Sequence, residues 1–303
     1  MKIAAELGQA LERRRLEGGS GAPINRMLAQ GPGWTVEDVV CTSGPADRPF
    51  AEQHEYVAIA IVTARTFHYR AGSGRELMTP GSLMLGNAGQ IFECGHEHGA
   101  GDRCISFRYS RDLFENLARP MGRSTRGVTF RALRVPPLRE LSSVVARASA
   151  GLAQGRADWQ ALSVEVAGLA LQASQGELAA REDMPASTLA RVTRVVRRIE
   201  NEGEDKLSLA ALAQEARLSP YHFLRVFMQV TGLTPHQYVR RLRLRQAAAT
   251  LAAKAGKVLD IAFDSGFGDV SNFNHAFRAE FGMSPRQFRL ALRSAGAAAP
   301  ARF

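Results

Sequence analysis

Cysteine is scarce in this chain, with three of 303 residues, Cys41, Cys94 and Cys104. So few cysteines exclude a disulfide framework as the basis of the fold. Long apolar runs are missing as well. None reaches the roughly 18 residues that a membrane-spanning helix needs, and the N-terminus lacks the apolar core of a secretory signal. We therefore expect a cytoplasmic protein whose cysteines are reduced thiols or ligands.

Acidic residues are clearly outnumbered by basic residues in only one part of the chain, its C-terminal third. Residues 191–303 hold 18 Lys and Arg against 9 Asp and Glu, whereas residues 1–190 hold 21 against 20. The chain is long enough for two domains. We therefore expect a basic module that binds a polyanion and a separate module that binds a ligand or a partner. An ordinary solvated surface is the alternative that charge alone leaves open.

Residues 34–109 have the texture of β-structure. β-branched and aromatic residues alternate there with Gly, Pro and Asn, which predicts a small antiparallel barrel or sandwich. Residues 2–17 predict a weak amphipathic helix that either docks on the barrel or frays. Apolar residues at three-to-four spacing predict two helices after Asp112, the longer at 158–175. These helices cover the barrel or form a dimer interface.

The C-terminal part contains an internal repeat. "LAALAQEARLSPYHFLRVFMQVTGLTPHQYV" (209–239) matches "VLDIAFDSGFGDVSNFNHAFRAEFGMSPRQFR" (258–289) at a spacing of 50 residues. Upstream of the first matched phenylalanines the spacing is 49, so the second copy has one extra residue in its turn. The matched pairs are Phe223 and Phe273, Phe227 and Phe277, Gly232 and Gly282, Pro235 and Pro285, Gln237 and Gln287, and Tyr238 and Phe288.

Each copy has the pattern of helix, tight turn and helix. In the first copy, Ser219 is placed to cap the second helix and Pro220 to begin it. Apolar residues at i, i+3, i+4 and i+7 predict a buried stripe, and the residues between them face outwards. A helix of this kind fills the DNA major groove, where exposed side chains reach base edges. The outward residues are Tyr221, His222, Arg225, Met228 and Gln229 in the first copy and Ser271, Asn272, Asn274, His275 and Arg278 in the second.

The segment between the copies, residues 236–253, has strong helix formers and no helix breaker. As a helix it spans roughly 27 Å, close to the roughly 34–36 Å between successive major-groove faces. Arg240, Arg241, Arg243 and Arg245 lie along it, where we expect them to contact phosphates. Two ordinary helical hairpins in a bundle are the alternative interpretation of the same pattern.

Residues 191–292 resemble the DNA-binding domain of the AraC/XylS transcription regulators, through "LSPYHFLRVFMQVTGLTPHQYV" and "IAFDSGFGDVSNFNHAFRAEFGMSPRQFR". The resemblance implies a seven-helix domain whose two helix-turn-helix units bind adjacent major grooves of double-stranded promoter DNA. It also implies a homodimer and contact with RNA polymerase. This chain has His275 where the family often has Arg. By position, the base-reading residues are Tyr221, His222 and Arg225 in the first unit and Ser271, Asn272, Asn274 and His275 in the second.

The N-terminal half resembles the small cupin-like barrels fused to many of these regulators, chiefly through "LMTPGSLMLGN" (77–87). That resemblance implies an effector-binding barrel followed by a dimerisation helix. The predicted fold class is α+β multidomain, with a cupin-like β-barrel and flanking helices followed by an all-α domain with two helix-turn-helix units. The predicted boundaries are 1–24 for an N-terminal helix or arm, 25–180 for the cupin-like effector and dimerisation domain with helices at 112–175, 181–190 for a linker, 191–292 for the DNA-binding domain and 293–303 for a tail.

The stretch "FECGHEHGAGDRC" (92–104) concentrates candidate ligands. If its first half is a strand and "GAGDR" a hairpin loop, Cys94, His96, His98 and Cys104 share one face. Cys94 and His98 are then about 13 Å apart along the strand, too far to bind one ion. The compact set for a zinc-like divalent metal is therefore His96, His98 and Cys104, with Cys94 and His54 as further candidates. A thiol sensor, an organic effector site and a bland hairpin with a buried thiol are the alternatives.

These observations predict a sequence-specific transcription regulator, not an enzyme, whose N-terminal domain senses an effector, a metal or a redox state. A cupin-type metalloenzyme fused to a DNA-binding domain is the rival from another class, and it needs three or four ligands with an open position. Non-specific architectural DNA binding is a third hypothesis. The methyl-accepting DNA-repair regulators need four cysteines on zinc, so the three cysteines of this chain exclude that group.

Overall fold

The computed structural model describes residues 2–49, 51–72, 74–121, 127–174, 184–202, 208–253 and 256–298. The strands in these ranges are β1 (Pro23–Gly31), β2 (Trp34–Cys41), β3 (Ala51–Gln53), β4 (Val57–Ala64), β5 (Phe67–Ala71), β6 (Gly74–Met78), β7 (Leu83–Gly86), β8 (Ile91–Gly95), β9 (Asp102–Tyr109) and β10 (Arg134–Val135). The helices are α1 (Lys2–Glu17), α2 (Arg111–Ala118), α3 (Ser142–Gln154), α4 (Trp159–Ala173), α5 (Ala186–Glu202), α6 (Leu209–Glu215), α7 (Pro220–Thr231), α8 (Pro235–Ala253), α9 (Val258–Asp264), α10 (Val270–Phe281) and α11 (Pro285–Ala298).

The strands form two antiparallel sheets in the N-terminal domain. The larger sheet has the order β1-β2-β9-β4-β7-β10, and the smaller has the order β3-β8-β5-β6. Side chains alternate between the two faces of β9. Ile105 and Phe107 join a core shared with the helices, whereas Cys104 packs between the sheets near Tyr69. The larger sheet is thus covered by helices on one face and by the smaller sheet on the other, which confirms the predicted β-rich domain with flanking helices.

Helix α1 docks on this domain rather than fraying from it. Leu7 is 1% exposed. The fully buried Arg103 donates a hydrogen bond to the carbonyl of Ile3, at 3.0 Å, and pairs with Asp38, at 2.8 Å. A buried guanidinium needs such partners, because an unpaired charge away from water is costly. Arg103 therefore ties the N-terminal helix to the larger sheet.

The C-terminal helices α5 to α11 build two small cores, one around each copy of the repeat. The first lies between α5, α6, α7 and the start of α8, and the second between the end of α8, α9, α10 and α11. The predicted apolar stripes lie inside these cores. Their members are Phe223, Val226, Phe227 and Val230 in the first copy and Phe273, Ala276, Phe277 and Phe281 in the second.

Two predicted domain boundaries fall inside helices. Helix α5 begins at Ala186, within the linker predicted at 181–190, and the first part of that linker lies outside the described residues. Helix α11 continues to Ala298, into the tail predicted at 293–303. Apolar positions spaced for a helix continue across both predicted ends, so composition does not locate where these helices begin and end. The domain boundaries themselves stay predictions. None of the helices in the described ranges combines the length and the apolar character that crossing a membrane requires.

The two domains contact each other, and α8 is the centre of that contact. Ala146 and Ala150 of α3 belong to the same apolar cluster as Leu244 and Ala247 of α8. Small residues on α3 allow the two helices to approach closely. The helix that connects the two repeat copies is therefore also the helix on which the N-terminal domain rests.

Polar contacts reinforce this interface. Three arginines of the C-terminal helices donate hydrogen bonds to backbone carbonyls of the N-terminal domain: Arg197 to Thr66, Arg241 to Pro137 and Arg245 to Pro80. Burial lowers the pKa of Arg245 to about 10. The side chain remains a cation at neutral pH, so the carbonyl partner stabilises a charge that has lost part of its hydration.

Candidate nucleic-acid interface

The first helix-turn-helix unit consists of α6, a turn and α7. Arg217 in the turn has a φ of +52°, a left-handed conformation that costs a non-glycine residue about 1 kcal/mol. The Ser219 side chain caps α7 by accepting a hydrogen bond from the amide of His222, at 3.3 Å, and Pro220 begins the helix. Both the Ser219 cap and the helix start at Pro220 confirm the prediction from the sequence. Helix α7 ends at Gly232, which has a φ of +80°.

The second unit, α9 and α10, repeats this plan with different residues. Gly266 has a φ of +74° at the turn position that Arg217 occupies in the first unit. Asp269 caps α10 by accepting a hydrogen bond from the amide of Asn272, at 2.7 Å. Helix α10 ends at Gly282, whose φ is +75°. Both second helices therefore have a side-chain cap at the start and a left-handed glycine at the end.

The residues predicted to read bases lie on the outer faces of α7 and α10. Tyr221 is 81% exposed, and Gln229 is half-buried. The Asn272 side chain donates a hydrogen bond to Asp269, so part of its hydrogen-bonding capacity is used within the helix cap. The other members of the set are exposed, as contact with base edges requires; they are His222, Arg225, Ser271, Asn274, His275 and Arg278.

Helix α8 spans 19 residues and agrees with the predicted connector, but most of its arginines do not lie free for phosphates. Arg241 and Arg245 bond to carbonyls of the N-terminal domain, and Arg241 also pairs with Glu280, at 3.2 Å. Arg243 donates to the carbonyl of Gly266, at 2.9 Å. Arg240 is exposed. Three of the four arginines thus already bond to protein carbonyls, and their predicted phosphate contacts stay predictions. Charge counting does not distinguish a protein carbonyl from a phosphate as the partner.

The predicted hairpin over residues 92–104 is wrong. Strand β8 pairs with β3 and β5, whereas β9 pairs with β2 and β4. The chain between these strands crosses from the smaller sheet to the larger one. His98 lies in this crossing and meets His68 edge-on, with ring centroids 5.7 Å apart. It does not pair with Cys104, and the predicted shared face of four ligands does not form.

A different set of ligand atoms comes together. Donor atoms of Cys41, His96 and Asp102 lie within 4.8 Å of one another, and all three residues are buried. Cys41 stands directly opposite Asp102 in the pairing of β2 with β9. His96 Nε2 is 2.6 Å from Asp102 Oδ2. Cys104 Sγ is 3.6 Å from Asp102 Oδ1. Two residues of the predicted metal set are therefore found here: His96 belongs to the observed group, and Cys104 lies next to it.

The remaining candidate ligands have other surroundings. His54 Nε2 is 2.8 Å from the Tyr69 hydroxyl, and its ring stacks on Phe92 with centroids 4.0 Å apart. Cys94 lies on β8 and packs against the cluster between the sheets. All three cysteines are free thiols.

His54 and His96, two of the buried histidines, have opposite pKa shifts. Burial, with help from Arg108, lowers the pKa of His54 to about 4, so His54 is neutral at physiological pH. Burial would also lower the pKa of His96, but hydrogen bonds with Asp102 and Cys41 raise it to about 9. His96 and Asp102 therefore form a buried ion pair, whereas His54 and Tyr69 form a neutral hydrogen bond.

Sequence reasoning missed Cys41 and Asp102. Cys41 is far from His96 along the chain, and Asp102 was assigned to a hairpin loop. Only the register of β2 against β9 brings them together. The sequence signal that could have indicated this group is the occurrence of cysteine, histidine and acidic residues at the ends of predicted strands.

Comparisons with known proteins agree on the C-terminal part. A family described as a helix-turn-helix domain matches residues 212–291. The HTH-type transcriptional activator RhaS of Escherichia fergusonii is 39% identical over 103 residues, which are 34% of this chain and 37% of that protein. RhaS of Escherichia coli strain SE11 is 40% identical over 91 residues, 30% of this chain and 33% of that protein. The chain thus spans well under half of the length of these relatives.

Two solved structures show a distant likeness. The DNA-binding domain of AdpA, in complex with a target DNA, is 27% identical over 36% of this chain and 98% of that chain, with a TM-score of 0.34. ToxT of Vibrio cholerae, with a bound unsaturated fatty acid, is 13% identical over 86% of this chain and 96% of that chain, with a TM-score of 0.35. Both TM-scores lie below 0.5, so neither structure establishes the fold of this chain. The family match covers both repeat copies, so the C-terminal part of this chain is similar to known helix-turn-helix domains.

Proposed function

We propose that this protein is a sequence-specific transcription regulator of the AraC/XylS type, acting in the cytoplasm on double-stranded promoter DNA. The observation that carries this proposal is the duplicated helix-turn-helix unit with an exposed polar face on each second helix, α7 and α10. One continuous helix, α8, joins the two units and is about 28 Å long. This arrangement suits two reading helices that enter successive major grooves on one side of the DNA.

The exposed side chains divide into two roles. Arg225 on α7 is proposed to read a base, because a guanidinium on the outer face of a recognition helix can bind the O6 and N7 atoms of guanine together. Arg240 at the start of α8 is proposed to contact a phosphate, which adds affinity without sequence preference. Leu224 between the polar positions of α7 is half-buried and offers apolar contact to a thymine methyl group.

Selection from random double-stranded DNA, followed by footprinting of the selected operator, tests the proposal. Arg225→Ala is expected to weaken operator binding by about 1–3 kcal/mol and to relax the preference at one base pair. The matched control is Arg13→Ala, which removes the same charge from an exposed position on α1 and should leave operator binding unchanged. An equal loss on operator and random DNA contradicts the base-reading role. A footprint without any preferred sequence supports architectural binding instead.

A homodimer is proposed through the outer face of α4. Val164 is 51% exposed, and Ala161 and Gln160 beside it are exposed as well. Such a small, uncharged helix face fits against a second copy of itself. Sedimentation of Val164→Glu is the test. A buried carboxylate at the interface should convert the dimer to a monomer, and an unchanged sedimentation coefficient contradicts this interface.

The N-terminal domain is proposed to sense an effector and to act on the DNA-binding domain through α8, with RNA polymerase as the partner that the family resemblance implies. The contacts of Arg197, Arg241 and Arg245 with N-terminal carbonyls support such coupling. Transcription from the selected operator with purified RNA polymerase tests it. Turnover of a small molecule by the purified protein would instead favour the metalloenzyme.

A further inference from the structure

The ends of β2 and β9 and the chain that follows β8 meet at one end of the N-terminal domain. Cys41 and Asp102 are cross-strand neighbours, and directly opposite residues of an antiparallel pair project from the same face of the sheet. Cys104 is two residues beyond Asp102, so it projects from that face as well. His96 approaches from the smaller sheet. Four donor side chains from three segments thus converge between the two sheets.

We propose that Cys41, His96 and Asp102 bind a thiophilic divalent cation of the Zn²⁺ type, with Cys104 as the fourth donor. Metal–ligand bonds of about 2.0–2.3 Å at tetrahedral angles place donor atoms roughly 3.3–3.8 Å apart. Donor atoms of the first three residues already lie within 4.8 Å of one another. These three residues can therefore close on an ion through small side-chain shifts, and the hydrogen bond between His96 and Asp102, 2.6 Å long, opens to admit it. Cys104 Sγ lies beside the group, 3.6 Å from Asp102 Oδ1, and moves in to complete it.

The donor set selects the class of ion. Thiolate and imidazole ligands favour zinc-like ions, whereas Mg²⁺ and Ca²⁺ prefer sites made of oxygen alone. Binding converts the Cys41 and Cys104 thiols to thiolates and the His96 imidazolium to a neutral imidazole, and the three protons pass to solvent. Two thiolates and one carboxylate then offset the charge of the dication and leave the site with one net negative charge.

The surroundings hold the site in place. The amide of Gly101 donates to the carbonyl of Ser43, at 2.8 Å, and the amide of Gly99 donates to the carbonyl of His96, at 3.2 Å. Cys41, His96 and Asp102 are 8%, 5% and 4% exposed, so the bound ion is shielded from water and from competing ligands. A closed site with four protein donors is typical of structural or sensory zinc rather than catalytic zinc.

The chain between His96 and Asp102 also meets the DNA-binding domain. The Arg197 guanidinium of α5 lies so close to Gly99 that a side chain at that position would collide with it. Arg197 bonds to Thr66 on the other side. Ordering of the His96–Asp102 segment by an ion therefore changes the contact that α5 makes with the N-terminal domain. This consequence rests on the proposed function, whereas the ion site itself does not.

Metal binding is tested on the full chain, stripped with a chelator under reducing conditions and titrated with Zn²⁺ or Co²⁺. We expect one ion per chain, with a thiolate-to-cobalt charge-transfer band and tetrahedral cobalt bands. Cys41→Ser and His96→Asn should weaken binding at least about tenfold. The matched control is His98→Asn, which changes a histidine of the same segment and should bind as the wild type does.

Three results overturn the assignment: no binding of either ion, a cobalt complex without a thiolate band, or equal losses in the His98→Asn and His96→Asn proteins. The cobalt spectrum uses the wild-type chain, so it decides the matter even where a variant fails to fold. Operator binding is then compared with and without Zn²⁺. A change of about fivefold or more is expected for coupled sites, and unchanged affinity overturns the coupling. Operator binding by the stripped protein tests the proposed function separately.

Discussion

The two helix-turn-helix units have the same arrangement of helices, but the glycines that end their second helices have different surroundings. Gly232 at the end of α7 lies against Pro136 of the N-terminal domain, so that a Cβ there would be 2.6 Å from Pro136 Cβ. Gly282 at the end of α10 has the same left-handed backbone, and among the residues that the structure describes, apart from its chain neighbours, none comes within 4 Å of a Cβ at that position. Glycine at the end of α10 is therefore required only by the left-handed backbone. Glycine at the end of α7 is required by the left-handed backbone and also by the close approach of Pro136.

The units differ in their interiors and outer faces as well. Tyr238 in the first core donates a hydrogen bond to Glu200, at 2.6 Å, whereas the equivalent residue of the second core, Phe288, has no hydroxyl. Arg225 on α7 corresponds to His275 on α10. A repeat thus conserves the apolar stripe that folds each unit and lets the remaining positions adapt to their surroundings.

The largest expected effect comes from substitution of the paired glycines. Gly232→Ala should lower the free energy of unfolding by about 2–3 kcal/mol, because it adds a clash with Pro136 to the strain of a left-handed alanine. Gly282→Ala should cost only about 1 kcal/mol, since it adds the strain alone. Denaturant unfolding followed by circular dichroism measures both. Equal losses for the two variants would show that Pro136 moves away from the added methyl group at little cost. The contact with Pro136 would then not distinguish the two helix ends.

The outer faces should contribute unequally to DNA binding. His275→Ala is expected to weaken operator binding by less than about 1 kcal/mol, because an imidazole makes fewer hydrogen bonds to a base than a guanidinium does. The corresponding Arg225→Ala removes a bidentate contact and costs more. Competition binding to the selected operator at fixed salt compares them. A larger loss for His275→Ala reverses the assignment of the dominant reading helix.

A further small effect should appear in the pH dependence of the first core. Burial raises the pKa of Glu200 to about 7, above its ordinary value in the unfolded chain. A raised folded pKa gives stability that is present below the unfolded pKa and is lost as the pH rises through the folded one. From about pH 6 to pH 8 the loss amounts to about 1 kcal/mol.

Glu200→Gln fixes the neutral state and should remove this part of the pH dependence. The difference in the free energy of unfolding between wild type and Glu200→Gln, measured at both pH values, isolates it from the histidines. A difference that does not change with pH contradicts the raised pKa of Glu200.

The helical half could be predicted from the sequence in detail, because its determinants are local. The cap at Ser219, the proline at the first position of α7 and the stripe from Phe223 to Val230 lie within a dozen residues. Such patterns act through spacing along one helix. Helices α5 and α11 cross the predicted domain boundaries, because the apolar pattern continues there.

The candidate metal site could not be predicted in the same way, because its determinants are distant in sequence. A short glycine-rich segment between two strands usually forms a hairpin, yet here it crosses between sheets. Cys41 and Asp102 meet through strand register. The carbonyl partners of the α8 arginines could not be predicted for a related reason, since the carbonyls of Pro80 and Pro137 that bind two of them lie in another domain.

The hydrogen bonds of Arg197, Arg241 and Arg245 with the N-terminal domain also bear on the ionic atmosphere of the DNA. Each phosphate that a protein cation neutralises releases close to one condensed counterion, and the steepness of the salt dependence counts these releases. Three guanidinium groups held by carbonyls release none. Under the proposed function, the net charge of the C-terminal third therefore overstates the number of ions that the DNA sheds on binding. We then expect the protein to keep more of its affinity for DNA as the ionic strength rises.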